Sequence, residues 1–462
     1  INRYKLGDKF TYLSAFVQQD DILFNQQTVF ETLKTAANFS IQKGKERMRT
    51  VNDTLKELDL THAKNTKIGD AKVRGVSGGE RKRCNLGVQL IQNPSLLFLD
   101  EPTSGLDSYQ ALKVIETLKK LCMHGCTIIT SIHQPRSSIF ALFDDIILLS
   151  KGNVVYHGPS GDDALKYFAQ QGLVCPPYFN PADFFLDMVS IDTRSKKAEE
   201  RSRDRIINLA NEYRNYYNKQ IKINGIDIQK DAINQTNEYK SRKQSKYSTQ
   251  LKTLAKRAFT QMIRDKTTFI TRVIMNIFFA FFISAVYYKT RGSTSQESIQ
   301  DRQGVLFFMC ILQVMGPIMN SVQNFGLEKS IIMRERQSKS YELGIYYLTT
   351  FFSQTPIQVF FPVIFGCTLY YIVGLYPSAG AFFTFLGTTV AMNLCSIGVG
   401  FFCGAIASIE AAATIGQVLV ALMILFSGFF IHVESLPLWL KWLTNLSIIH
   451  WGFQAYCINE FQ

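Results

Sequence analysis

The sequence predicts an α/β domain in the N-terminal half of the chain, followed by an all-α domain that spans a membrane. Charged residues crowd the first 267 residues, whereas no Asp, Glu, Lys or Arg occurs in 303–327 or in 343–409. The charged half carries two predicted apolar strands, "LLFL" at 96–99, which carboxylates follow, and "TIITSIH" at 127–133, which ends at His133. A chain of 462 residues is long enough for two or three domains.

The run from Leu96 to Leu99 does not alternate between apolar and polar residues, which is typical of a parallel strand covered by helices on both faces. Asp100 and Glu101 follow it directly. Ligands of open parallel sheets bind beyond the carboxyl ends of the strands, so the two carboxylates are predicted to stand at a ligand crevice. A solvated acidic turn is the alternative, although carboxylates at the end of such a strand need a cation nearby.

Three further stretches supply polar groups at predicted junctions. "RGVSGGERKR" (74–83) places Ser77, Gly78 and Gly79 immediately before a predicted helix. Backbone N–H groups of glycines approach phosphates closely, and a helix N-terminus favours negative charge, although a flexible capping turn is the alternative. "FVQQDD" (16–21) supplies Gln19 and "TIITSIHQP" (127–135) supplies His133, a residue type that often has a structural role only.

In this order the four stretches resemble the nucleotide-binding domain of ABC transporters, over residues 16–190. The variants "VSGGERKR", "DEPTSGLDS" and "NPADFFLDMVS" (180–190) look like those of the G subfamily, the white/brown-type half-transporters. The resemblance implies an α/β nucleotide-binding domain of the P-loop NTPase type.

The resemblance also implies ATP and Mg²⁺ as cofactors. Glu101 would polarise the attacking water and His133 would contact the γ-phosphate, so these two are the expected catalytic residues. Gln19 and Asp100 would bind Mg²⁺, Asp100 through water, and Gln19 would sense the γ-phosphate. The other expected nucleotide contacts are Ser77, Gly78, Gly79 and Asp107, the last in a loop that crosses a dimer interface.

The phosphate-binding loop of the family is not found. No G-x-x-x-x-G-K-[ST] motif occurs in the chain, and Gly44-Lys45 in "IQKGKER" lacks both the upstream Gly and the following Ser or Thr. In the family this loop lies several tens of residues before the position of Gln19, which only eighteen residues precede here. We therefore expect a fragment: an N-terminally incomplete nucleotide-binding domain without its P-loop, and a membrane domain without the family's sixth span. A degenerate family member is the alternative.

The uncharged runs predict several membrane spans. A single helix over 343–409 would be about 100 Å long, roughly three times a hydrocarbon core, so the chain turns back at "GLYPSAG" (374–380). Five long uncharged helices without a polar face are not expected in a soluble protein. The predicted spans are 268–288, 304–325, 349–373, 380–405 and 411–431.

Three domains follow from these patterns: a partial nucleotide-binding domain (1–190), a basic cytoplasmic linker with the juxtamembrane region (191–267), and a partial transmembrane domain with five spans and a re-entrant segment (268–462). The net charge of +13 is concentrated in the linker. Basic residues beside a span mark the cytoplasmic side and contact anionic lipid. No nucleic-acid-binding motif accompanies them, so the expected partner is membrane lipid and not nucleic acid.

The predicted function is ATP-driven export or translocation of a hydrophobic substrate by a dimer of half-transporters, with a second half-transporter as partner in a homodimer or heterodimer. The enzyme would be an ATPase coupled to transmembrane movement, although the fragment alone is expected to be inactive. The protein would be a multi-pass protein of the plasma membrane or an internal membrane, with its nucleotide-binding domain cytoplasmic. Two alternatives are a non-hydrolytic regulatory subunit of a heterodimeric ABC transporter and a soluble repair or translation ATPase, which the spans disfavour.

Two segments of the membrane half have roles implied by the resemblance. "LEKSIIMRERQSKSYELG" (327–344) would be an amphipathic cytoplasmic segment that transmits movement between the two domains. Phe429 and Phe430 match a bulky pair that plugs the central cavity in the family, although lipid-facing phenylalanines are common in any span.

Overall fold

A three-stranded parallel sheet organises the N-terminal part of the chain. Its strands are β1 (Ser14–Val17), β2 (Leu96–Leu99) and β3 (Thr127–Thr130), in the order β1-β2-β3. The predicted strand at 96–99 is thus confirmed, whereas the strand predicted to end at His133 ends at Thr130. This computed structural model describes residues 10–70, 74–224, 245–288 and 296–461.

The two faces of the sheet differ in burial. Leu97 and Leu99 are buried on one face, whereas on the other face Phe16 is 53% and Ile129 is 47% exposed. The predicted burial on both faces is therefore wrong for the described residues. Side chains alternate along a strand, and the main hydrophobic cluster covers only one set of them.

Helices surround the buried face of the sheet. They are α1 (Phe10–Leu13), α2 (Val29–Ser40), α3 (Gly44–Glu57), α4 (Gly78–Leu90), α5 (Ser108–Met123) and α6 (Ser137–Phe140). The apolar faces of α2, α3 and α5 meet in the core through Leu33, Val51 and Val114, each less than 2% exposed. Two helices begin with a capping box, at Thr28 with Glu31 and at Ser77 with Glu80, which satisfies N–H groups that have no partner within the helix.

A smaller layer follows the sheet. It consists of the antiparallel hairpin β4 (Asp145–Ser150) and β5 (Asn153–Pro159), with α7 (Asp162–Ala169), α8 (Pro181–Val189) and α9 (Lys196–Asn224). Tyr156, Phe168 and Phe185 are buried together there, and the Tyr213 hydroxyl donates to the His157 carbonyl at 3.2 Å. Aromatic packing therefore fixes α9 against the hairpin.

Residues 1–244 and 245–462 form two compact units. The division lies inside 191–267, and the domain boundaries at 190 and 267 stay predictions. The second unit is helical throughout its described residues. Its helices are α10 (Tyr247–Arg264), α11 (Lys266–Val286), α12 (Gln296–Gln337), α13 (Leu343–Val373), α14 (Ala379–Ile406), α15 (Ile409–Leu425), α16 (Leu438–Leu446) and α17 (Ile448–Phe461), with a 3₁₀ turn at Val433–Ser435.

Four of these helices, α11 to α14, are long and apolar enough to cross a membrane. They contain the second, third and fourth predicted spans and all but the last two residues of the first, since α11 ends at Val286. The fifth predicted span, 411–431, is wrong beyond Leu425, because α15 is a shorter apolar helix of 17 residues that ends there. Gly428 lies just beyond, with a φ of +89°, a left-handed conformation that ends a helix.

The helix α12 is unusually long. Its 42 residues extend about 63 Å, roughly twice a hydrocarbon core. The first part of 327–344, predicted as a separate amphipathic segment, instead continues the second span as far as Gln337. Near one end of α12, Arg302 pairs with Glu460, and near the other Glu335 pairs with Arg257 at 2.7 Å. Both ends of α12 are therefore fixed by ion pairs.

Small residues allow α12 and α14 to pack closely. Gly400 and Gly404 of α14 form a G-x-x-x-G pattern that faces α12. A Cβ atom added at Gly400 would lie 2.7 Å from the Ile318 carbonyl oxygen, and one at Gly404 would lie 3.1 Å from the Phe325 ring. Helices in membranes associate chiefly through such close backbone packing, so these glycines set the separation of the two helices.

A lysine satisfies the end of α14. The Nζ atom of Lys329 donates to the carbonyls of Ala405 and Ala407 at 3.1 and 2.8 Å. The last carbonyls of a helix have no partner within it, and a nearby basic side chain can satisfy them. Lys329 therefore stabilises the sharp turn between α14 and α15.

An aromatic cluster lies beyond α15. Phe429 stacks on Phe307 of α12 with ring centroids 4.2 Å apart, and Phe430 meets the same ring edge-on at 5.4 Å. Phe453 completes the cluster. These contacts account for packing within one chain, and the plug function stays a prediction.

We expect Gly400→Ala to destabilise the second unit by about 1–3 kcal/mol, because the new methyl group overlaps backbone atoms of α12 that cannot move aside. The measurement is the midpoint of thermal denaturation of the detergent-purified protein.

Gly398→Ala is the matched control, since a Cβ at Gly398 has no heavy atom within 4 Å. It should leave the midpoint unchanged or raise it, because Ala favours the helix. Equal midpoints for the two variants would contradict the close packing of α12 and α14.

Candidate functional site

The carboxyl ends of the three parallel strands lie level at one edge of the sheet. Val17, Leu99 and Thr130 are the last residues of β1, β2 and β3 and pair across the sheet. The pairing continues one step further, since the Asp100 N–H donates to Val17 O at 3.0 Å and the Ser131 N–H donates to Leu99 O at 3.1 Å. The polar residues that follow each strand are therefore brought to one place.

Three of the predicted site residues meet at this edge. The Gln19 side-chain amide donates to Oε2 of Glu101 at 2.8 Å. Asp100 accepts a hydrogen bond from the Ser131 hydroxyl at 2.7 Å, and the same hydroxyl accepts the Glu101 N–H at 3.0 Å. The four residues form one hydrogen-bonded group, which we call the edge cluster: Gln19, Asp100, Glu101 and Ser131.

Glu101 has a strained backbone, with a φ of +43°. Non-glycine residues seldom adopt this left-handed conformation, and strain of this kind persists only where neighbours enforce it. The Ser131 hydroxyl holds the Glu101 N–H, and Gln19 holds its carboxylate. The turn directs Glu101 out of the line of β2, toward the end of β1.

Sequence reasoning missed Ser131. It lies two residues before His133 in a stretch already singled out, and a hydroxyl directly after an apolar strand next to a strand ending in carboxylates was the available signal. His133 itself is exposed in the loop after β3. No hydrogen bond joins its ring to the edge cluster or to any other residue in the described part of the chain.

The segment Ser77 to Gly79 starts α4. Ser77 is the N-cap, and Gly78 and Gly79 are the first helical residues rather than a loop before the helix, which corrects the predicted boundary. Gly78 is exposed, whereas the Gly79 N–H donates to the side-chain carbonyl of Gln110 at 2.9 Å. A methyl group at Gly79 would overlap that same carbonyl oxygen, at 2.7 Å.

Glu80 completes this helix start. Its Oε2 accepts the Ser77 N–H at 2.8 Å, and its Oε1 lies 2.6 Å from Nε2 of His62. Burial opposes ionisation, yet the hydrogen bonds from Ser77 and His62 keep the pKa of Glu80 below its ordinary value. The carboxylate is thus ionised and holds the capping box closed.

Asp107 caps the neighbouring helix α5. Its side chain accepts the Gln110 N–H at 2.8 Å, and Gln110 in turn holds the Gly79 N–H. Asp107 therefore belongs with Ser77, Gly78 and Gly79, a set we call the helix-start group. Within one chain no hydrogen bond between described residues joins the helix-start group to the edge cluster.

The edge cluster offers oxygen ligands suited to Mg²⁺. Asp100 supplies a carboxylate, Gln19 keeps its amide oxygen free of the bond to Glu101, and Ser131 supplies a hydroxyl. No group of three or more His, Cys, Asp or Glu that could hold a metal ion lies among the described residues. Mg²⁺ usually retains several waters and binds one or two carboxylates together with substrate phosphates, so this donor set fits that ion.

Models of known families match most of the chain. The "ABC transporter" model matches residues 8–104, which include β1, α4 and β2. Two models described as "ABC-2 type transporter" match residues 133–206 and 249–461, the second of which contains the four helices α11 to α14 that are long and apolar enough to cross a membrane. The predicted fold class, a nucleotide-binding α/β domain followed by a helical transmembrane domain, is confirmed.

Individual relatives match almost the whole chain. "ABC transporter G family member 7" of Arabidopsis thaliana is 38% identical over 97% of this chain and 63% of its own length. "Broad substrate specificity ATP-binding cassette transporter ABCG2" of Mus musculus is 34% identical over 98% and 72%, respectively. "Protein white" of Ceratitis capitata is 30% identical over 97% and 66%. The chain thus spans about two thirds of the length of these relatives, and it belongs to the G subfamily of ABC transporters.

Proposed function

We propose that the protein is one half of an ATP-driven transporter that moves a hydrophobic substrate across a membrane. The observation that carries this proposal is the edge cluster, in which a strained glutamate at the end of β2 is held by the amide that follows β1 and the hydroxyl that follows β3. Membership of a family of transporters and four helices long enough to cross a membrane support the transport step.

In this proposal Glu101 orients and deprotonates the water that attacks the γ-phosphate. Its carboxylate is partly exposed and accepts a hydrogen bond from Gln19, so an oxygen lone pair remains for a water molecule. Gln19 holds that carboxylate and senses the γ-phosphate. His133, exposed in the loop after β3, contacts the γ-phosphate once nucleotide is bound.

Asp100 and Gln19 are the residues that would hold Mg²⁺, Asp100 through water. A bound Mg²⁺ would neutralise charge on the phosphate oxygens. The chain's own contribution is positional: the Ser131 hydroxyl fixes both the Asp100 carboxylate and the Glu101 backbone, so the two acidic groups keep different orientations.

We propose that two half-transporters associate, as a homodimer or a heterodimer. The helix-start group presents an exposed Gly78 at a helix N-terminus, a place suited to phosphate, yet it makes no bond to the edge cluster of its own chain. This separation supports a nucleotide held between the helix-start group of one half and the edge cluster of the other. Closure of the two nucleotide-binding domains on two nucleotides would switch the substrate path from one side of the membrane to the other, and hydrolysis would reset it.

The substrate is proposed to be hydrophobic, and the transport to be export or translocation. The apolar side chains of α12 to α14 support an apolar path, and the uncharged run 343–409 contains no side chain that would bind a charged cargo electrostatically. We place the first unit on the cytoplasmic side of a plasma or internal membrane, because the basic residues of 191–267 precede the first span.

Glu101→Gln tests the ATPase proposal. Gln keeps the shape of Glu but cannot accept a proton, so we expect ATP turnover to fall about 10²- to 10⁴-fold, with little change in nucleotide affinity. The measurements are ATP hydrolysis and nucleotide binding by the reconstituted full-length transporter.

An ATP-trapped closed dimer should accumulate with Glu101→Gln, because closure depends on the helix-start group and not on the base. Wild-type turnover by a homodimer of the variant would contradict the role of Glu101. In a heterodimer, retained turnover would place hydrolysis at the partner's site and would favour the alternative that this chain is a non-hydrolytic subunit.

Ser131→Ala should lower ATP turnover by about 10-fold or more, because it removes the hydroxyl that holds the Glu101 N–H and orients Asp100. Nucleotide affinity and the thermal midpoint should change little at this exposed position. Ser131→Thr keeps the hydroxyl and serves as the control, with turnover recovered. Equal turnover by the Ala variant and the wild type would show that the strained Glu101 needs no support from Ser131.

The topology can be checked with single cysteines. If α15 crosses the membrane despite its 17 residues, five crossings separate the first unit from α16. Leu438→Cys should then react with an impermeant maleimide in right-side-out vesicles, and Gln337→Cys only after permeabilisation, in a background without the exposed Cys395. Labelling of Gln337→Cys in sealed vesicles would reverse the proposed orientation.

A further inference from the structure

A lysine of α4 is buried beside the edge cluster. The side chain of Lys82 is 4% exposed, and its Nζ donates to the backbone carbonyl of Gln19 at 2.6 Å and lies 3.2 Å from Oδ1 of Asp21. Lysine is seldom fully buried unless it is paired. The other lysine ion pairs described in this unit, such as Lys119 with Asp144, are more exposed. The pair of Lys82 with Asp21 is therefore not an ordinary surface ion pair.

Two more side chains of α4 hold the same segment. Arg81 donates to the backbone carbonyl of Asp21 at 3.2 Å, and Asn85 donates to its carboxylate at 3.0 Å. Lys82 contacts the Gln19 backbone in addition to Asp21. Asp21 keeps two ties to α4 when Lys82 is absent, whereas the Gln19 backbone loses the contact described here.

These contacts form a continuous path through one chain. The helix-start group stands at the N-terminus of α4, and Lys82 lies about one turn further along the same helix. Lys82 holds the backbone of Gln19, and the side chain of Gln19 holds the carboxylate of Glu101. A displacement of α4 along or about its axis therefore moves Gln19 relative to Glu101.

We propose that Lys82 is a positioning residue that couples the two nucleotide sites of the dimer. When the N-terminus of α4 binds the nucleotide held by the partner, α4 shifts, and Lys82 moves the backbone of Gln19 with it. Gln19 then aligns Glu101 of its own chain. Lys82 touches no reacting atom in this scheme. The inference rests on the proposed ATPase function and adds to it a route by which occupancy of one site governs hydrolysis at the other.

The first test is Lys82→Met in the reconstituted full-length dimer. Met keeps the apolar stem but has no donor for the Gln19 carbonyl. We expect kcat for ATP to fall about 10- to 100-fold while KM stays within about twofold, since Gln19 itself is retained and the change acts chiefly on its alignment of Glu101 in the transition state. Lys82→Arg keeps a cationic donor and should recover part of kcat.

Lys119→Met is the matched control. It removes the cation of a more exposed lysine–aspartate pair in the same unit that has no contact with Gln19. Its kcat should equal that of the wild type. A loss with Lys119→Met as large as with Lys82→Met would mean that removing any such pair impairs the domain, and would overturn the specific role.

The decisive readout is a double-mutant cycle with Gln19→Ala. If Lys82 acts through Gln19, adding Lys82→Met to Gln19→Ala should lower kcat by less than about twofold, because the path is already broken. A purely structural lysine would instead lower kcat by the same factor in both backgrounds. That multiplicative result would overturn the inference.

If Lys82→Met yields too little folded dimer, Asp21→Asn replaces it in the same cycle. Asn removes the charge that holds Nζ in place and keeps the shape of the side chain, so a kcat loss is again expected only when Gln19 is present. Absence of ATP turnover in the wild-type dimer would refute the proposed function itself. If the wild-type dimer hydrolyses ATP and Lys82→Met has the same kcat, only the coupling role of Lys82 is refuted.

Discussion

Parallel pairing of β2 with both of its neighbours is the constraint on which the site depends. Because the strands end level, residues separated by 82 positions in sequence, Gln19 and Glu101, lie within hydrogen-bonding distance without any long loop to bring them together. The backbone ladder continues to Asp100 and Ser131, so the first polar residue after β2 and after β3 has a fixed position. The strained conformation of Glu101 is tolerated because this frame holds it from two sides.

In the second unit, side chains supply partners for backbone groups at the ends of helices. In a membrane the backbone polar groups at helix ends must find partners within the protein. Lys329 supplies them at the end of α14, and glycines at 400 and 404 let that helix approach α12 closely. In both units, then, a few side chains satisfy or fix backbone atoms, and the apolar core supplies the bulk of the packing.

The sequence predicted the parts of the molecule that carry a local pattern. The apolar run of β2 and the carboxylates after it were identifiable because burial and charge change abruptly between Leu99 and Asp100. Ser131 and Lys82 were not, because a hydroxyl or a lysine has no distinctive spacing and its role depends on residues distant in sequence.

Helix ends in the second unit were also hard to predict. The charged residues after Leu327 end the apolar run but not α12, since a helix stops where backbone conformation changes and not where hydrophobicity does. For the same reason α15 ends at Leu425, just before Ser427 and Gly428, although apolar residues continue beyond it. His133 could be singled out by its residue type and its place after an apolar run, and its predicted contact with phosphate stays a prediction.

The continuity of α12 restricts how its sequence can change in length. Each residue of an α-helix rotates the following ones by about 100°. An insertion or deletion of one residue near its middle would leave the composition almost unaltered, yet Glu335 would turn away from Arg257, and Lys329 from the last carbonyls of α14. The helix therefore tolerates substitutions far better than insertions or deletions. Its length in relatives should vary only outside the stretch between Arg302 and Glu335.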